Sequence, residues 1–191
     1  MKKLEIEKKY LVNTTNLSLE GYQCKKIIQG YIYSDNYTEV RIRSIETHEN
    51  TKYYYTVKVS GNDPMQRTEI EFQITREEFN TLSQKTLKDT HLIEKDRYLI
   101  PLYNDLTAEL DIYHNELDGL STVEVEFTDI EKATNFKEPD WFGVDITSDK
   151  SYKNKNLAKT YFEKGKIKKK SIWQHKKNII FVETGKTFNR V

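Results

Sequence analysis

The sequence predicts an α+β fold that is mainly antiparallel β, in which about eight strands close into a barrel with helices at its periphery. Polar and apolar residues alternate with a period of two along most of the chain, and short connections rich in Asn, Asp and Gly separate the alternating segments. Such short connections favour antiparallel neighbours, and a sheet of about eight such strands tends to curl or close. The predicted strands cover residues 4–12, 23–34, 37–45, 53–60, 66–74, 91–100, 107–113 and 122–127.

Helices are predicted at two places where a capping box begins a segment. Thr75 with Glu78 opens a helix that reaches about residue 87, and Thr128 with Glu131 opens one that reaches about residue 136. A third helix is predicted over residues 151–163.

The charges divide the chain into an acidic body and a basic tail. The formal net charge is only +1, but residues 165–191 hold 8 basic residues against one acid, which leaves 23 against 29 in residues 1–164. We therefore expect one folded domain at 1–164 and a basic tail at 165–191. The tail could contact nucleic acid or an anionic membrane, but a solvated or disordered tail, or a vector-derived remnant, is favoured, so a nucleic-acid partner is not expected.

Composition also argues against several other classes of protein. No apolar run approaches the roughly 20 residues that span a bilayer, and acids interrupt the apolar residues of the N-terminus, so we expect no signal peptide and no membrane partner. The single cysteine, Cys24, excludes an internal disulfide and a zinc site built on thiolates. A reducing cytoplasm is the simplest location.

Side chains two apart on a strand share a face, so each predicted strand divides into a charged side and an apolar side. The apolar side includes Ile42, Ile70, Phe72, Val123 and Val125, and it predicts a core. The acids of the charged side are Glu5, Glu7, Glu69, Glu71, Glu109, Asp111, Glu124 and Glu126, and its bases are Lys9, Arg41, Arg43, Lys58, Arg67, Lys95 and Arg97.

For any single strand, a solvent-exposed face explains this alternation better than a binding site does. The complete set is different, because solvent faces of sheets usually mix charges with Thr, Ser, Gln and Asn. If the strands close with their apolar side outward, the ions line a charged lumen. Each unpaired ion there would cost several kcal/mol, so the lumen must be hydrated, internally paired or met by a ligand. A polyanion with divalent cations would satisfy both signs, because phosphate suits Arg and Lys while Mg²⁺ or Mn²⁺ suits carboxylates.

The N-terminal segment Glu5-Ile6-Glu7-Lys8-Lys9 resembles the E-x-E-x-K signature of the CYTH superfamily, the triphosphate tunnel metalloenzymes. Asp149, Tyr152, Asn154, Leu157 and Ala158 resemble the closing D-x-x-Y-x-N-x-x-L-A motif of that family. Between them, in the family's order, lie Gln29-Gly30-Tyr31, Arg41-Ile42-Arg43, Thr56-Val57-Lys58, Arg67-Thr68-Glu69-Ile70-Glu71, Lys95-Asp96-Arg97-Tyr98, Glu109-Leu110-Asp111 and Val123-Glu124-Val125-Glu126-Phe127. The resemblance covers residues 4 to about 162. It implies an eight-stranded antiparallel tunnel, dependence on Mg²⁺ or Mn²⁺, and cleavage of small-molecule triphosphates.

The resemblance and the sorting of charges agree on the roles of the residues. Lys9, Arg41 and Arg43 are the predicted catalytic residues. Glu109 is not assigned as a metal ligand, because its position near a turn would place it at the mouth of the tunnel. Lys150 is interpreted as a surface lysine in preference to a member of the basic set. The predicted substrate ligands are Lys9, Arg41, Arg43, Lys58, Arg67, Lys95 and Arg97, and the predicted metal ligands are Glu5, Glu7, Glu69, Glu71, Asp111, Glu124 and Glu126.

Hydrolysis of inorganic triphosphate to diphosphate and phosphate is the leading prediction, because no base-recognition pocket can be identified in the chain. A class IV-type adenylate cyclase and a nucleoside or thiamine triphosphatase of the same fold remain alternatives. A non-catalytic binder of polyphosphate is disfavoured, because anion binding alone gains nothing from so many acids. No Ser or Cys nucleophile with a partner His is evident, which favours direct attack by water.

Overall fold

The computed structural model describes residues 6–15, 17–60 and 67–169. All eight predicted strands are present there, with ends that differ from the prediction by at most two residues. The strands are β1 (Ile6–Val12), β2 (Gln23–Ser34), β3 (Thr38–Glu46), β4 (Thr51–Ser60), β5 (Arg67–Ile74), β6 (Ile93–Pro101), β7 (Thr107–Tyr113), β8 (Ser121–Phe127), β9 (Phe142–Asp145), β10 (Thr160–Glu163) and β11 (Lys166–Lys169). The helices are α1 (Arg76–Ser83), α2 (Ile130–Asn135) and α3 (Asn154–Leu157).

Nine of the strands form one antiparallel sheet in the order β5-β4-β3-β2-β6-β7-β8-β1-β9. The mainly antiparallel β fold with few helices is therefore confirmed. Closure into a barrel is not observed, because β5 and β9 are the two edges of the sheet and no pairing joins them among the described residues. The ninth strand, β9, pairs with β1 and was not predicted.

The first two predicted helices form, and both are shorter than expected. The capping box at α1 is confirmed: Glu78 donates its backbone N–H to Thr75 Oγ1 at 3.2 Å, and Thr75 donates its own to Glu78 Oε2 at 2.7 Å. The box predicted at Thr128 is wrong by one residue, because Asp129 is the N-cap of α2 and accepts the backbone N–H of Lys132 at 2.8 Å. A carboxylate one residue later offers the stronger acceptor to the free N–H groups of the first turn.

The third predicted helix is wrong. The segment 151–163 instead contains a 3₁₀ turn, the four-residue helix α3, and strand β10, which pairs with β11. Lys164 and Gly165 join these two strands with φ angles of 51° and 75°, a left-handed conformation that stops a right-handed helix. The predicted boundary at 164/165 lies at this turn, so residues 166–169 pair with the domain, and the remainder of the predicted tail lies outside the described residues.

Two apolar clusters pack against opposite faces of the sheet. The outer core holds Leu110, Val123 and Val125, each with no exposed surface, beneath α2. The second, which we call the floor cluster, lies at one end of the charged face and consists of Tyr31, Ile93, Tyr113, Leu117, Leu120, Leu157 and Ala158. The predicted core fails at the β5 edge, where Ile70 and Phe72 are 46% and 56% exposed because they lie on the edge strand of the sheet. Within the described ranges, no helix is long and apolar enough to cross a membrane.

Candidate active site

The charged face of the sheet lines a cavity with a volume of about 170 Å³. Strands β1 and β3 both contribute to it although they lie five steps apart in the sheet, roughly 24 Å in a flat one. The sheet is therefore strongly curved around the cavity. The predicted site residues that line it are Glu7, Lys9, Arg41, Arg43, Lys58, Lys95, Arg97, Glu124 and Glu126, together with Glu109.

Other predicted site residues lie elsewhere. Glu69, Glu71 and Asp111 do not line the cavity, and cationic side chains engage each of them. Glu5 lies outside the described residues, as does the side chain of Arg67 at the start of β5. Lys150 is exposed and does not line the cavity, as expected for a surface lysine.

Burial of the charged face increases along β1. Glu7 is exposed, Lys9 two residues later is 8% exposed, and Leu11 packs against the floor cluster. Strand β7 follows the same course from the partly exposed Glu109 to Tyr113, which is fully buried in the floor cluster. The charged face therefore runs from an acidic mouth, through buried cations, to an apolar floor.

Asp111 is the fully buried counter-ion of two predicted substrate ligands. It accepts Lys95 Nζ at 2.5 Å, and Arg97 Nε and Nη2 at 2.6 Å each. Burial opposes ionisation of Asp111, but Arg97 and Lys95 hold the pKa of its carboxyl below the usual value. Burial and the neighbouring Arg97 lower the pKa of Lys95 to about 8. Arg97 also pairs with Glu109 and Glu124, so it joins three acids on β7 and β8.

Lys9 is held charged between an acid and a backbone carbonyl. Its Nζ lies 2.9 Å from Glu124 Oε1 and donates to the Tyr152 carbonyl at 3.0 Å. Burial opposes the charge of Lys9, but the nearby Glu124 carboxylate raises the lysine pKa well above its usual value. Burial likewise opposes ionisation of Glu124, and Lys9 and Arg97 outweigh it to lower the pKa of that carboxyl. Both groups are ions at neutral pH.

A second group of ion pairs joins β3, β4 and β5 across the cavity wall. Glu69 lies 3.3 Å from Arg41 and 3.1 Å from Lys58, and Glu71 lies 3.1 Å from Arg43. Cross-strand register explains one of these contacts, because Lys58 is directly opposite Glu69 on β5, whereas the two arginines reach across β4. The acids of β5 therefore neutralise bases of β3 and β4.

The two arginines of β3 retain unused hydrogen-bond donors. The Nε atoms of Arg41 and Arg43 are buried, and no acceptor among the described residues reaches either one. An unsatisfied buried donor costs about 1–3 kcal/mol, so two of them beside one cavity point to an acceptor-rich ligand. Phosphate oxygens are such acceptors and match the planar guanidinium group.

Carboxylates gather at the mouth of the cavity. Glu7 on β1 and Glu126 on β8 are directly opposite each other, and both line the cavity. Like charges in such a cross-strand position repel, so a cation between them would be stabilising, and their hard oxygen atoms suit Mg²⁺ or Mn²⁺. In the described part of the chain, no three acidic, His or Cys side chains converge as a complete metal site. The donor set fits a metal that uses one or two carboxylates and completes its shell with water and substrate phosphates.

Gln29 and Tyr31 on β2 line the cavity, and sequence reasoning assigned them no role. Both are buried, and Gln29 donates its amide N–H to Tyr31 Oη at 2.7 Å. A Cβ at the intervening Gly30 would lie 2.7 Å from side-chain atoms of Leu92 and Thr86, so the packing there favours glycine. The Gln-Gly-Tyr sequence was the signal that could have identified this pair.

A further set of lining residues belongs to the chain from the end of β9 through α3, which we call the closing segment (residues 146–157). Its start is tied to β1 by two hydrogen bonds of the Lys9 backbone. The Ile146 N–H donates to the Lys9 carbonyl at 2.8 Å, and the Lys9 backbone N–H donates to Thr147 Oγ1 at 3.0 Å. Its end is tied to β3 by an ion pair of 2.8 Å between Lys155 and Glu39. The segment therefore spans the cavity from one wall to the other.

Comparison with known proteins gives consistent matches. Residues 3–162 match the CYTH domain family. The chain is 36% identical over 156 residues to an inorganic triphosphatase of Nitrosomonas europaea, a match that covers 81% of this chain and 96% of that protein. It is also 36% identical over 163 residues to an inorganic triphosphatase of Acetivibrio thermocellus, covering 83% and 96%.

A solved structure shares the architecture. The crystal structure of the inorganic triphosphatase NE1496 superposes with a TM-score of 0.60 at 34% identity, and the match covers 81% of this chain and 93% of that one. The family match to residues 3–162 includes the nine-stranded sheet and the closing segment.

Proposed function

Because the chain belongs to the CYTH domain family, we propose that it is a metal-dependent triphosphatase that hydrolyses inorganic triphosphate to diphosphate and phosphate. The observation that carries the proposal is the cavity itself, in which buried cations and the two arginines of β3 line a small volume together with acids. Relatives at 36% identity that carry the name inorganic triphosphatase support the choice of substrate.

The bases of the cavity would grip the phosphate chain. Lys9, Arg41 and Arg43 are proposed as catalytic residues, since their cationic groups would stabilise the charge that builds on the phosphoryl group during transfer. Lys58, Lys95 and Arg97 line the same cavity and would bind phosphate oxygens with them. A role for Arg67 stays a prediction from sequence.

CYTH triphosphatases are metal-dependent, and the acidic mouth offers the donors that a metal would need. We propose Mg²⁺ or Mn²⁺, held by Glu7 and Glu126 with help from Glu124; Glu5 stays a prediction. When bound, such a metal would neutralise phosphate charge and lower the pKa of a bound water. The ion pairs of Glu69, Glu71 and Asp111 favour a role for these acids as counter-ions of the phosphate-binding bases.

Water is the proposed nucleophile, because no serine or cysteine is among the described residues that line the cavity. Its oxygen would attack an outer phosphorus, and the bond from that phosphorus to the bridging oxygen would break. The electron pair of that bond would leave with diphosphate, and the proton that the attacking water loses would pass to the diphosphate or to solvent. Arg41 and Arg43 would hold the oxygens of the phosphoryl group in transfer.

The closed tunnel that the resemblance implies also belongs to this proposal. Its support is the curvature that brings β1 and β3 to one cavity, and the closing segment that connects these two walls. A tunnel would bring cations from several strands to the phosphate chain, with the acids of the mouth near one end.

The test is to incubate the protein with inorganic triphosphate, ATP, GTP and thiamine triphosphate under Mg²⁺ or Mn²⁺. Phosphate, pyrophosphate and cyclic nucleotide are measured in each reaction. We expect phosphate release to be fastest from inorganic triphosphate and no cyclic AMP from ATP. Stoichiometric pyrophosphate and cyclic AMP from ATP would identify a cyclase, and full activity in excess EDTA would refute the metal requirement.

A further inference from the structure

Thr56 is a fully buried polar residue on β4 to which the proposed reaction assigns no role. It lies directly opposite Arg41 on β3 and Glu71 on β5. Its side chain lies 2.8 Å from Glu71 Oε2, and the hydroxyl is the donor because an ionised carboxylate can only accept. A threonine side chain is stiff at χ1, so the strand holds this donor at a fixed position.

The same carboxylate oxygen of Glu71 also accepts Arg43. Arg43 Nη2 reaches across β4 and lies 3.1 Å from Glu71 Oε2. The Arg43 and Glu71 side chains are 19% and 31% exposed, and an ion pair that is so accessible to water holds its two groups only loosely. A second donor on the same oxygen, supplied by a buried and stiff side chain, restricts the rotation of the carboxylate.

The guanidinium of Arg43 has one more contact on β4. Its Cζ atom lies 5.8 Å from the centre of the Tyr54 ring, and Tyr54 is directly opposite Arg43. This distance is within the range of a cation–π interaction. Arg43 lines the cavity, and no acceptor among the described residues reaches its buried Nε atom. Glu71 and Tyr54 therefore orient the guanidinium and leave its Nε–H group unused.

We propose that Thr56 is a positioning residue for Arg43: its hydroxyl fixes the Glu71 carboxylate, and that carboxylate fixes the guanidinium. The effect on catalysis rests on the proposed function, because Arg43 is then taken to hold the phosphoryl group in transfer. The restraint on Arg43 does not depend on that function. Valine has the shape of threonine but no hydroxyl donor, so Thr56→Val would allow the carboxylate and the guanidinium to rotate.

The first test measures the exchange of the Arg43 Nε–H proton with water by NMR, in excess EDTA and without triphosphate. The loss of the signal in Arg43→Lys assigns it. We expect exchange at least about tenfold faster in Thr56→Val, because a guanidinium that rotates exposes this proton to water. Thr56→Ser keeps the hydroxyl and should stay within about twofold of the wild type. Equal rates in Thr56→Val and the wild type would overturn the proposal.

Thr160→Val is the matched control for the loss of a buried hydroxyl. Thr160 is 7% exposed, donates to the Leu157 carbonyl at 2.9 Å and does not line the cavity. The control should leave the exchange at Arg43 unchanged. Equally fast exchange in the control and in Thr56→Val would indicate a general loosening of the fold and refute the specific role of Thr56.

Two further variants test whether Thr56 acts through Glu71. Adding Thr56→Val to Glu71→Ala should not increase the exchange further, because the carboxylate that the hydroxyl fixes is already absent. Additive effects of the two changes would refute this route. Thr56→Ala removes the same hydroxyl and replaces Thr56→Val if that variant does not fold; it should also accelerate the exchange, and a wild-type rate would refute the proposal.

The second test measures hydrolysis of inorganic triphosphate. Arg43 would stabilise charge in the transition state, so Thr56→Val should lower kcat about tenfold and change KM by less than about twofold. Thr56→Ser should restore most of kcat, while the melting temperature of Thr56→Val should resemble that of Thr160→Val. A rise in KM with unchanged kcat, or a loss that serine does not rescue, would refute the catalytic effect.

The two tests separate this inference from the proposed function. If Thr56→Val accelerates the exchange but the wild type does not hydrolyse triphosphate, the positioning of Arg43 is retained and the function is refuted. If the wild type hydrolyses triphosphate and Thr56→Val changes neither the exchange nor kcat, the function is retained and the positioning is refuted. Faster exchange with unchanged kcat would retain the restraint on Arg43 and refute its effect on catalysis.

Discussion

Replacing Asp111 with Asn tests whether this acid is a buried counter-ion. Asp111 has no exposed surface and binds Lys95 and Arg97 through three contacts of 2.5 to 2.6 Å. The variant would leave two cations with less negative charge in a nearly dry site, and removing one partner of a buried pair costs about 3–5 kcal/mol. For a chain of this size, that corresponds to a loss of about 6–20 °C in melting temperature.

Glu109→Gln is the matched control, because Glu109 pairs with the same Arg97 while its side chain is 31% exposed. Exposed pairs contribute about 0–1 kcal/mol, so this variant should melt within a few degrees of the wild type. Both are measured by urea and thermal unfolding in excess EDTA, so that metal binding does not contribute. The counter-ion interpretation is refuted if Asp111→Asn loses less than about 1 kcal/mol, or if the two variants lose the same amount.

Three further outcomes are expected. Arg41→Ala should lose most hydrolytic activity, because it removes a cation from the phosphate-binding cavity. Its circular dichroism and melting temperature should stay near those of an Arg76→Ala control, since Arg76 lies at the exposed start of α1. If the Arg41→Ala protein unfolds, the pair of Arg41 with Glu69 is structural. Triphosphate with metal, at a hundredfold excess over its dissociation constant, should stabilise the folded protein by about 2.7 kcal/mol, and an unchanged melt at saturation would count against the cavity as the binding site. The folded-state pKa of Glu124 is lowered, so its contribution to stability is present above its unfolded value of 4.5 and is lost as the pH falls below that value. Acidification below about pH 4.5 should therefore destabilise the wild type more steeply than Glu124→Gln, and parallel pH profiles would contradict this.

Sequence was sufficient to assign most strands and the faces of their residues. Glu7, Lys9 and Glu124 line one cavity as the alternation indicated, while Leu110 and Val123 are in the outer core. The reason is local, because successive side chains of a strand always point to opposite faces whatever the strand pairs with. The start of α1 was also predicted correctly from its capping box at Thr75, since that motif depends on residues only three apart.

Local signals failed where a tertiary contact competed with them. The segment after Ser151 has residues that a helix tolerates, yet Thr160–Glu163 forms a strand because a left-handed turn allows it to pair with β11. Phe72 satisfies the pattern of a core residue and remains 56% exposed because it lies on the edge strand. Pattern alone does not reveal which strand will be at an edge.

The sequence by itself therefore determined which ions share a face, and only the tertiary structure decided which partners each ion meets. Glu69 and Glu71 were predicted as metal ligands together with Glu7, but the register places Glu69 opposite Lys58 on β4, and Glu71 pairs with Arg43 on β3. Lys9 reaches the carbonyl of Tyr152, 143 positions away, and no local pattern encodes that contact. Side-chain alternation is a property of the backbone of one strand, whereas ion pairing and the acidic mouth of the cavity depend on how distant strands are aligned when the sheet curves.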